Sequence, residues 1–333
     1  MQARDKTIIR SPHLHRLQRR HFILFDVLPF VGTLAALILF VFYPIGPVDV
    51  GLFLSLWLLT GLGLTVGYHR LFTHRAFSTS AGMNVAFIIF GSMAGRGPML
   101  SWVAMHRRHH ELSDREGDLH SPNLHGSTFA GRLRGWWHAH MGWMVAHDYP
   151  NTTHYVPDLM ADPVIVAANR HYYTWVALGL LLPAAIGGFL TQSWLGAVTG
   201  FLWGGVVRMF VVEQSMSAIN SCLHLFGKKR FATRDDNSRN SGIFALLIWG
   251  EGWHNNHHAF PYSAAFGLRW YEIDPGYWLI RTLEAMGLVW KVKVPSREKI
   301  AARLASSRQD ERVSLSVDPD APTLDSTSPP KIA

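Results

Sequence analysis

Apolar residues in this chain fall in long unbroken blocks. Phe22 to Tyr43 is almost wholly apolar, and Val50 to Tyr68 is a second block of similar character. A helix needs about 20 apolar residues to cross a hydrocarbon core of about 30 Å, so each block predicts a spanning helix. A secretory signal peptide would have a shorter apolar core and a small-residue cleavage site. Between the two blocks lies only Pro44-Ile45-Gly46-Pro47, which forces an antiparallel hairpin. A second pair of blocks, Tyr172 to Leu190 and Trp194 to Val212, is separated by Thr191-Gln192-Ser193. The pattern predicts an all-α membrane protein with four spans, about 22–43, 50–68, 172–190 and 194–212, arranged as two hairpins. Ala81 to Gly95 is apolar but short and runs into Arg96-Gly97-Pro98, so it reads as a buried or interfacial helix; Gly242 to Trp249 is shorter still. From about Ser306 the chain is rich in Ser, Pro and Asp without periodicity, the composition of a disordered tail. The expected organisation is a segment 1–21, a main unit 22–304 with extramembrane parts 69–171 and 213–304, and a tail 305–333.

Composition and charge sharpen this picture. Of 333 residues, 48% are hydrophobic and only 16% charged, against roughly 25% charged in an average globular chain. That excludes a disordered chain and a nucleic-acid scaffold. Lys and Arg number 31 against 23 Asp and Glu. Six of the basic residues precede the first span, 9 lie between His69 and His171, 15 follow Glu213, and neither hairpin turn holds any. By the positive-inside rule both termini and the long middle segment are expected on the cytoplasmic side. The basic surplus is then a matter of orientation, and no nucleic-acid partner is expected. A single cysteine, Cys222, excludes an internal disulfide and any cysteine-built zinc or iron–sulfur site within the chain.

Histidine is the compositional outlier, with 16 of 19 residues between His69 and His258. Four groups stand out: His69-Arg-Leu-Phe-Thr-His74, His106-Arg-Arg-His109-His110, Asn220-Ser-Cys-Leu-His224 and His254-Asn-Asn-His257-His258. Positions i, i+3 and i+4 share a helix face, so each HxxHH group is expected to aim three imidazoles at one point. The first group begins where the second span ends, and Asn220 and His224 fall just past the fourth, so all four groups reach one end of the bundle. Nine imidazoles exceed the capacity of one tetrahedral ion, and two metal ions are expected. Imidazole suits iron, zinc, copper and nickel, so ligand type alone does not choose the metal. Glu251, Asp114 and Asp118 read either as acids that orient imidazoles or as loop charges. Isolated histidines such as His13, His15, His147 and His154 read as surface or interface residues. Arg208 inside a span calls for an interior partner, a place on a substrate path, or snorkelling. A metal transporter or sensor would place ionisable groups mid-span, and the spans hold few besides Arg208 and Asp26.

On these residues the chain resembles the integral membrane fatty acid desaturases, within them the acyl-CoA delta-9 (stearoyl-CoA type) branch. The matching stretches are Gly67-Tyr-His-Arg-Leu-Phe-Thr-His-Arg75, His106-Arg-Arg-His-His110, Asn220-Ser-Cys-Leu-His224-Leu-Phe-Gly227 and Gly250-Glu-Gly-Trp-His-Asn-Asn-His-His-Ala-Phe-Pro261. The resemblance runs from about Phe22 to Val294. It implies that His69, His74, His106, His109, His110, His224, His254, His257 and His258 bind two irons, with Asn220 reaching one through a water. It further implies a division into His69, His106, His110 and His257 on one metal, and His74, His109, His224, His254 and His258 on the other. The implied reaction uses O2 to introduce a cis double bond, delta-9 in that branch, into a saturated acyl chain carried by CoA or another carrier. An acyl-lipid desaturase and a membrane di-iron hydroxylase share the same pattern. The chain has no haem motif, no Gly-rich dinucleotide fingerprint and too few cysteines for a cluster. Electrons are therefore expected from a separate ferredoxin, rubredoxin, b-type cytochrome or flavoprotein reductase. The sequence departs from the animal enzymes at Gln214-Ser-Met-Ser217, at Pro122 to Phe129 and at Arg170-His-Tyr-Tyr173, which implies a differently shaped tunnel and leaves the carrier open.

Overall fold

The structure, a computed structural model, describes residues 6–145, 147–233 and 237–316. It is helical, with four helices long and apolar enough to cross a membrane: α1 (Pro12–Phe42), α2 (Pro47–Thr73), α7 (Tyr172–Thr191) and α8 (Trp194–Cys222). Between α2 and α7 lie α3 (Ala81–Ser92), α4 (Met99–Leu112), α5 (Phe129–Trp137) and α6 (Pro163–Arg170). After α8 come α9 (Gly242–Leu247), α10 (His254–Ala259), α11 (Pro275–Ala285) and α12 (Arg297–Ser316). Two short antiparallel ladders, Ile8–Ile9 with Tyr149–Pro150 and Ser78–Thr79 with Val289–Trp290, tie the extramembrane segments together. The short apolar stretch from Ala81 does form a 12-residue helix instead of a fifth span. Helix α12 runs through Ser316, and residues 317–333 of the expected tail lie outside the described residues.

Both hairpin turns are built from local chemistry. Pro47 opens α2, where its missing N–H is no loss, and Asp49 Oδ2 accepts from Gly46 N at 3.0 Å. At the second turn Gln192 takes a left-handed conformation with φ of 49°, and Ser193 Oγ accepts from Leu195 N to cap α8. Helices α7 and α8 approach through small residues: a Cβ on Gly187 would fall 2.3 Å from Gly196 O. The outward faces carry exposed Leu34, Leu37, Ile38 and Val41 on α1 and Leu181 and Phe189 on α7, as lipid-facing helices require. Arg208 is fully buried and donates to Met93 O at 2.7 Å, Gly179 O at 2.8 Å and Gly204 O at 3.2 Å. It therefore staples three carbonyls inside the bundle and does not snorkel.

The spanning helices do not stop where the apolar blocks stop. Helix α2 continues through His69 to Thr73, and α8 continues through Asn220 to Cys222, so these candidate site residues are mounted on the spans themselves. From Gly63 to Thr73 the helix is underwound and widened into i→i+5 hydrogen bonding, a rare winding that is frequent at functional sites.

Candidate metal centre

The nine imidazoles gather at one end of the bundle in two groups. His69, His74, His106, His110 and His257 form one, and His109, His224, His254 and His258 the other; within each group the nearest ring nitrogens all lie within 4.8 Å of one another. Each HxxHH group serves both. A helix advances about 100° per residue, so i+4 lies about 40° to one side of i while i+3 lies about 60° to the other. On α4, His106 and His110 turn to the first group and His109 to the second; on α10, His254 and His258 turn to the second and His257 to the first. Three imidazoles aimed at one point, the expectation from spacing, is replaced by a two-and-one division repeated in opposite senses.

His74 stands with the first group, not with the second as the resemblance implied. On a regular α-helix i+5 falls on the far side from i. Here His74 N bonds His69 O at 3.2 Å, an i→i+5 bond, and the wide turn brings the two rings to 5.0 Å on the same side. Asn220 lines a small cavity together with His69 and His106.

Side chains between and beside the ligands hold their positions. Arg107 pairs with Asp158 and donates to Phe72 O at 2.9 Å and Thr73 O at 3.2 Å, which locks α4 to the end of α2. Arg70, fully buried, pairs with Asp274 and donates to Ala264 O and Trp249 O. The two asparagines inside His254-Asn-Asn-His257-His258 are equally engaged. Asn255 Oδ1 accepts from Arg230 N and Phe231 N, Asn256 Nδ2 donates to Glu272 and to Phe266 O, and Asn240 Oδ1 accepts from both backbone N–H groups. A six-residue helix cannot hold itself in water; this network holds α10.

All three acids singled out in the sequence hold an imidazole by Nδ1. His69 donates to Glu251 at 2.7 Å, His224 to Asp114 at 2.9 Å and His109 to Asp118 at 3.0 Å. With the proton on Nδ1, Nε2 is left as a bare lone pair aimed into the group. Burial would raise the carboxyls of Asp114 and Asp118, and the imidazole N–H groups outweigh it, holding both well below the usual carboxylate range. Burial, reinforced by neighbouring imidazoles, pushes His74, His106, His110, His254 and His257 well below 6.5, so these rings are neutral at pH 7. One buried residue escaped the sequence reading: His120, whose ring lies 4.3 Å from that of His109 and whose nitrogen lies within 4.8 Å of a His109 nitrogen and an Asp118 carboxylate oxygen. Its one local signal is the Asp118-Leu-His120 spacing.

The donor set fits a pair of metal ions. Nε2 atoms face each other at 3.0 Å between His69 and His257, 2.9 Å between His257 and His110, and 3.0 Å between His106 and His110 and between His224 and His254. Two nitrogens bound at right angles to an ion at about 2.1 Å lie about 3 Å apart. His74 Nε2 is buried with no hydrogen-bond partner, an arrangement that costs roughly 1–3 kcal/mol unless a ligand satisfies it.

With the geometry in place, the comparisons decide the family. The model for fatty acid desaturases matches residues 45–292. The chain belongs to the fatty acid desaturase family. It is 50% identical to the hex-5-enoyl-[acyl-carrier protein] acetylenase of Moorena producens (strain JHB) over 90% of this chain and 94% of that protein. It is 34% identical to the sn-1 stearoyl-lipid 9-desaturase of Anabaena variabilis over 73% of this chain and 83% of that one. With the icosanoyl-CoA 5-desaturase of Limnanthes douglasii it shares 36% identity over 73% of this chain and 65% of the relative. This desaturase-family chain is thus an oxidoreductase of acyl chains, with relatives that differ in carrier and in the position oxidised.

Proposed function

We propose that the protein is an O2-dependent acyl desaturase or acetylenase, working at two irons on an acyl chain held by a carrier, with acyl carrier protein the favoured carrier. The observation that carries it is the pair of imidazole groups, with His69, His224 and His109 oriented by Glu251, Asp114 and Asp118. His69, His74, His106, His110 and His257 would hold one iron, His109, His224, His254 and His258 the other, with Asn220 beside the first. When bound, such a pair supplies the O2-dependent oxidation that removes hydrogens from an unactivated C–C bond, chemistry no side chain here can perform. The chain's own residues would bind the irons, keep His74, His106, His110, His254 and His257 unprotonated, and wall the reacting carbons from bulk water with Leu64, Trp102, Met216 and Ile219. Electrons come from a separate protein, and the basic residue distribution supports a cytoplasmic active site.

Acyl carrier protein is favoured over CoA because the acetylenase shares 50% identity over nearly the whole chain, whereas the CoA and lipid enzymes share 34–36% over about three quarters. A delta-9 acyl-lipid reading rests on the cyanobacterial 9-desaturases. The test is metal analysis joined to product analysis. Purified protein should hold two irons per chain and, with ferredoxin and its reductase, oxidise an acyl thioester under O2. One metal equivalent in a fully active preparation, or hydroxylated product alone, would overturn the reading.

A further inference from the structure

The stretch from Asn240 to Gly250 leads into the last histidine group and holds no charged residue and no histidine. Phe244 packs on the core, and Ala245 and Ile248 are buried, so one side of α9 faces protein. The other side is apolar too: Ile243 is 75% exposed, Leu246 59% and Leu247 54%. A short helix that is apolar all round is out of place at a water surface. Its backbone bonds locally. Ala245 N bonds Ser241 O at 2.9 Å, Ile248 N bonds Phe244 O at 2.8 Å and Gly250 N bonds Ala245 O at 2.8 Å, the local pairing that contact with lipid demands of a backbone.

Trp249 fixes how deep this stretch sits. Its ring centroid lies 4.5 Å from that of Trp57 on α2, and a Cβ on Gly61 would fall 2.0 Å from the same ring, so Gly61 leaves a socket for it. Trp249 holds a φ of 47°, a left-handed conformation that a bulky residue keeps only where its surroundings over-determine it. Counted along α2 from Pro47 at the hairpin turn, Trp57 lies about 15 Å and Gly61 about 21 Å into a hydrocarbon slab about 30 Å thick. The ring therefore sits about 9–15 Å inside the boundary on the imidazole side. Leu247, two residues before Trp249, is within about 7 Å of it along the chain. Leu54 and Leu58 share the α2 face of Gly61 and are 51% and 45% exposed, so the outer face of α9 continues a surface that already meets lipid.

We propose that α9 is a wedge in the leaflet on the imidazole side, held against α2 by Trp249, with Ile243, Leu246 and Leu247 on lipid acyl chains. Trp278 of α11 is 57% exposed and stays close to the wedge, because Gly276 N bonds Trp249 O at 3.0 Å. It takes the headgroup level, where tryptophan is favoured. Exposed Lys228, whose backbone bonds that of Asn240 where the stretch begins, supplies charge for lipid phosphates. The wedge is also tied to the frame of the imidazole groups. Ser241 N bonds Gly252 O at 2.8 Å, beside Glu251, the acceptor for His69, and just ahead of His254. The four spans are thus joined by a fifth lipid contact that does not cross the bilayer.

The test uses the full-length protein in lipid nanodiscs and needs no variant to begin. Phosphatidylcholine carrying a diazirine on its acyl chain is photolysed with the unsubstituted protein, and adducts are located by peptide mass spectrometry. Adducts on Ile243, Leu246 or Leu247 are expected alongside those on Leu54 and Leu58. Labelling of α1 and α2 with none on recovered peptides spanning Ile243 to Leu247 overturns the proposal. Depth is read by spin labels at Leu246→Cys and Leu247→Cys in Cys222→Ser protein, with Leu54→Cys as the lipid reference and exposed Glu298→Cys as the aqueous one. Collision with O2 should exceed collision with a water-soluble nickel chelate as it does at Leu54, placing the label about 5–10 Å below the headgroup boundary. Nickel access equal to that at Glu298 means that the face meets water and overturns the proposal. A label reached by neither reagent means that protein, a second copy of this chain included, covers the face, and it overturns the lipid assignment equally.

Discussion

His224 is the residue where local and tertiary explanations separate most cleanly. It follows the end of α8, where a histidine could serve the carbonyl dipole for about 0.3–1 kcal/mol and nothing more. Instead its Nδ1 is held by Asp114 and its Nε2 faces His254. His224→Ala should lower bound iron from two toward one per chain and abolish activity without loss of folded protein, while exposed His154→Ala should keep both. Plasma emission analysis beside a turnover assay reads this, and near-normal desaturation by His224→Ala would remove it from the ligand set. Asp114 acts one step further out. Asp114→Ala should weaken iron binding about 10–100-fold, because the ring loses the acceptor that fixes its tautomer. Asp114→Asn should recover part of the affinity, since its side-chain oxygen still accepts from Nδ1; equal iron retention in Asp114→Ala and the parent protein would contradict the role.

At the scale of elements, α2 and α8 each combine a membrane span with a ligand-bearing end, so anything that shifts one against the other moves the centre. Arg208 guards against such movement by tying α8 to α7 and to the end of α3. Arg208→Met should destabilise the protein by about 3–5 kcal/mol, since it strands buried carbonyls and removes the group built to meet them. Thermal unfolding in detergent, followed by thiol-reactive dye at Cys222, measures this, and a midpoint within a degree of the parent would refute it. The widened turn Gly63–Thr73 is the other device at this scale: its i→i+5 bonding puts His74 over His69, a placement regular α-helical winding forbids.

For the whole molecule, burial of many neutral imidazoles makes stability depend on pH. The native rings titrate well below 6.5, and the unfolded chain takes up protons near 6.5. Between those values the unfolded state binds more protons, so stability is fully present above about pH 6.5 and falls as pH drops below it. Protons also compete with iron for the same nitrogens. Titration from pH 8 to pH 5 should release iron and lower the unfolding midpoint together, beginning near pH 6.5; a flat profile through pH 5 would contradict the assignment of neutral buried ligands. Orientation is tested on the same scale. With Cys222→Ser, cysteines at Gly46 and Ser193 should react with an impermeant reagent only from outside the cell, and labelling of both only from within would invert the topology.

The sequence by itself determined the four spans and the set of nine histidines, because bilayer thickness imposes block lengths and helical spacing imposes shared faces. It offered Glu251, Asp114 and Asp118 either as acids that orient imidazoles or as loop charges, and only the structure chose the first. Spacing alone could not tell that each HxxHH group divides between two centres, a division only the family resemblance implied, since spacing shows a common face but not the two facing helices that split it. In the structure His74 stands with the first group, a placement that follows from the wide winding of α2, which no local pattern announces. His120 beside His109, the Arg96–Glu213 ion pair and the Gln18–His147 contact bring together positions as much as 129 residues apart. Such juxtapositions arise only when α1, α4 and α8 pack, because burial and the demand for hydrogen-bond partners act on space, not on sequence separation.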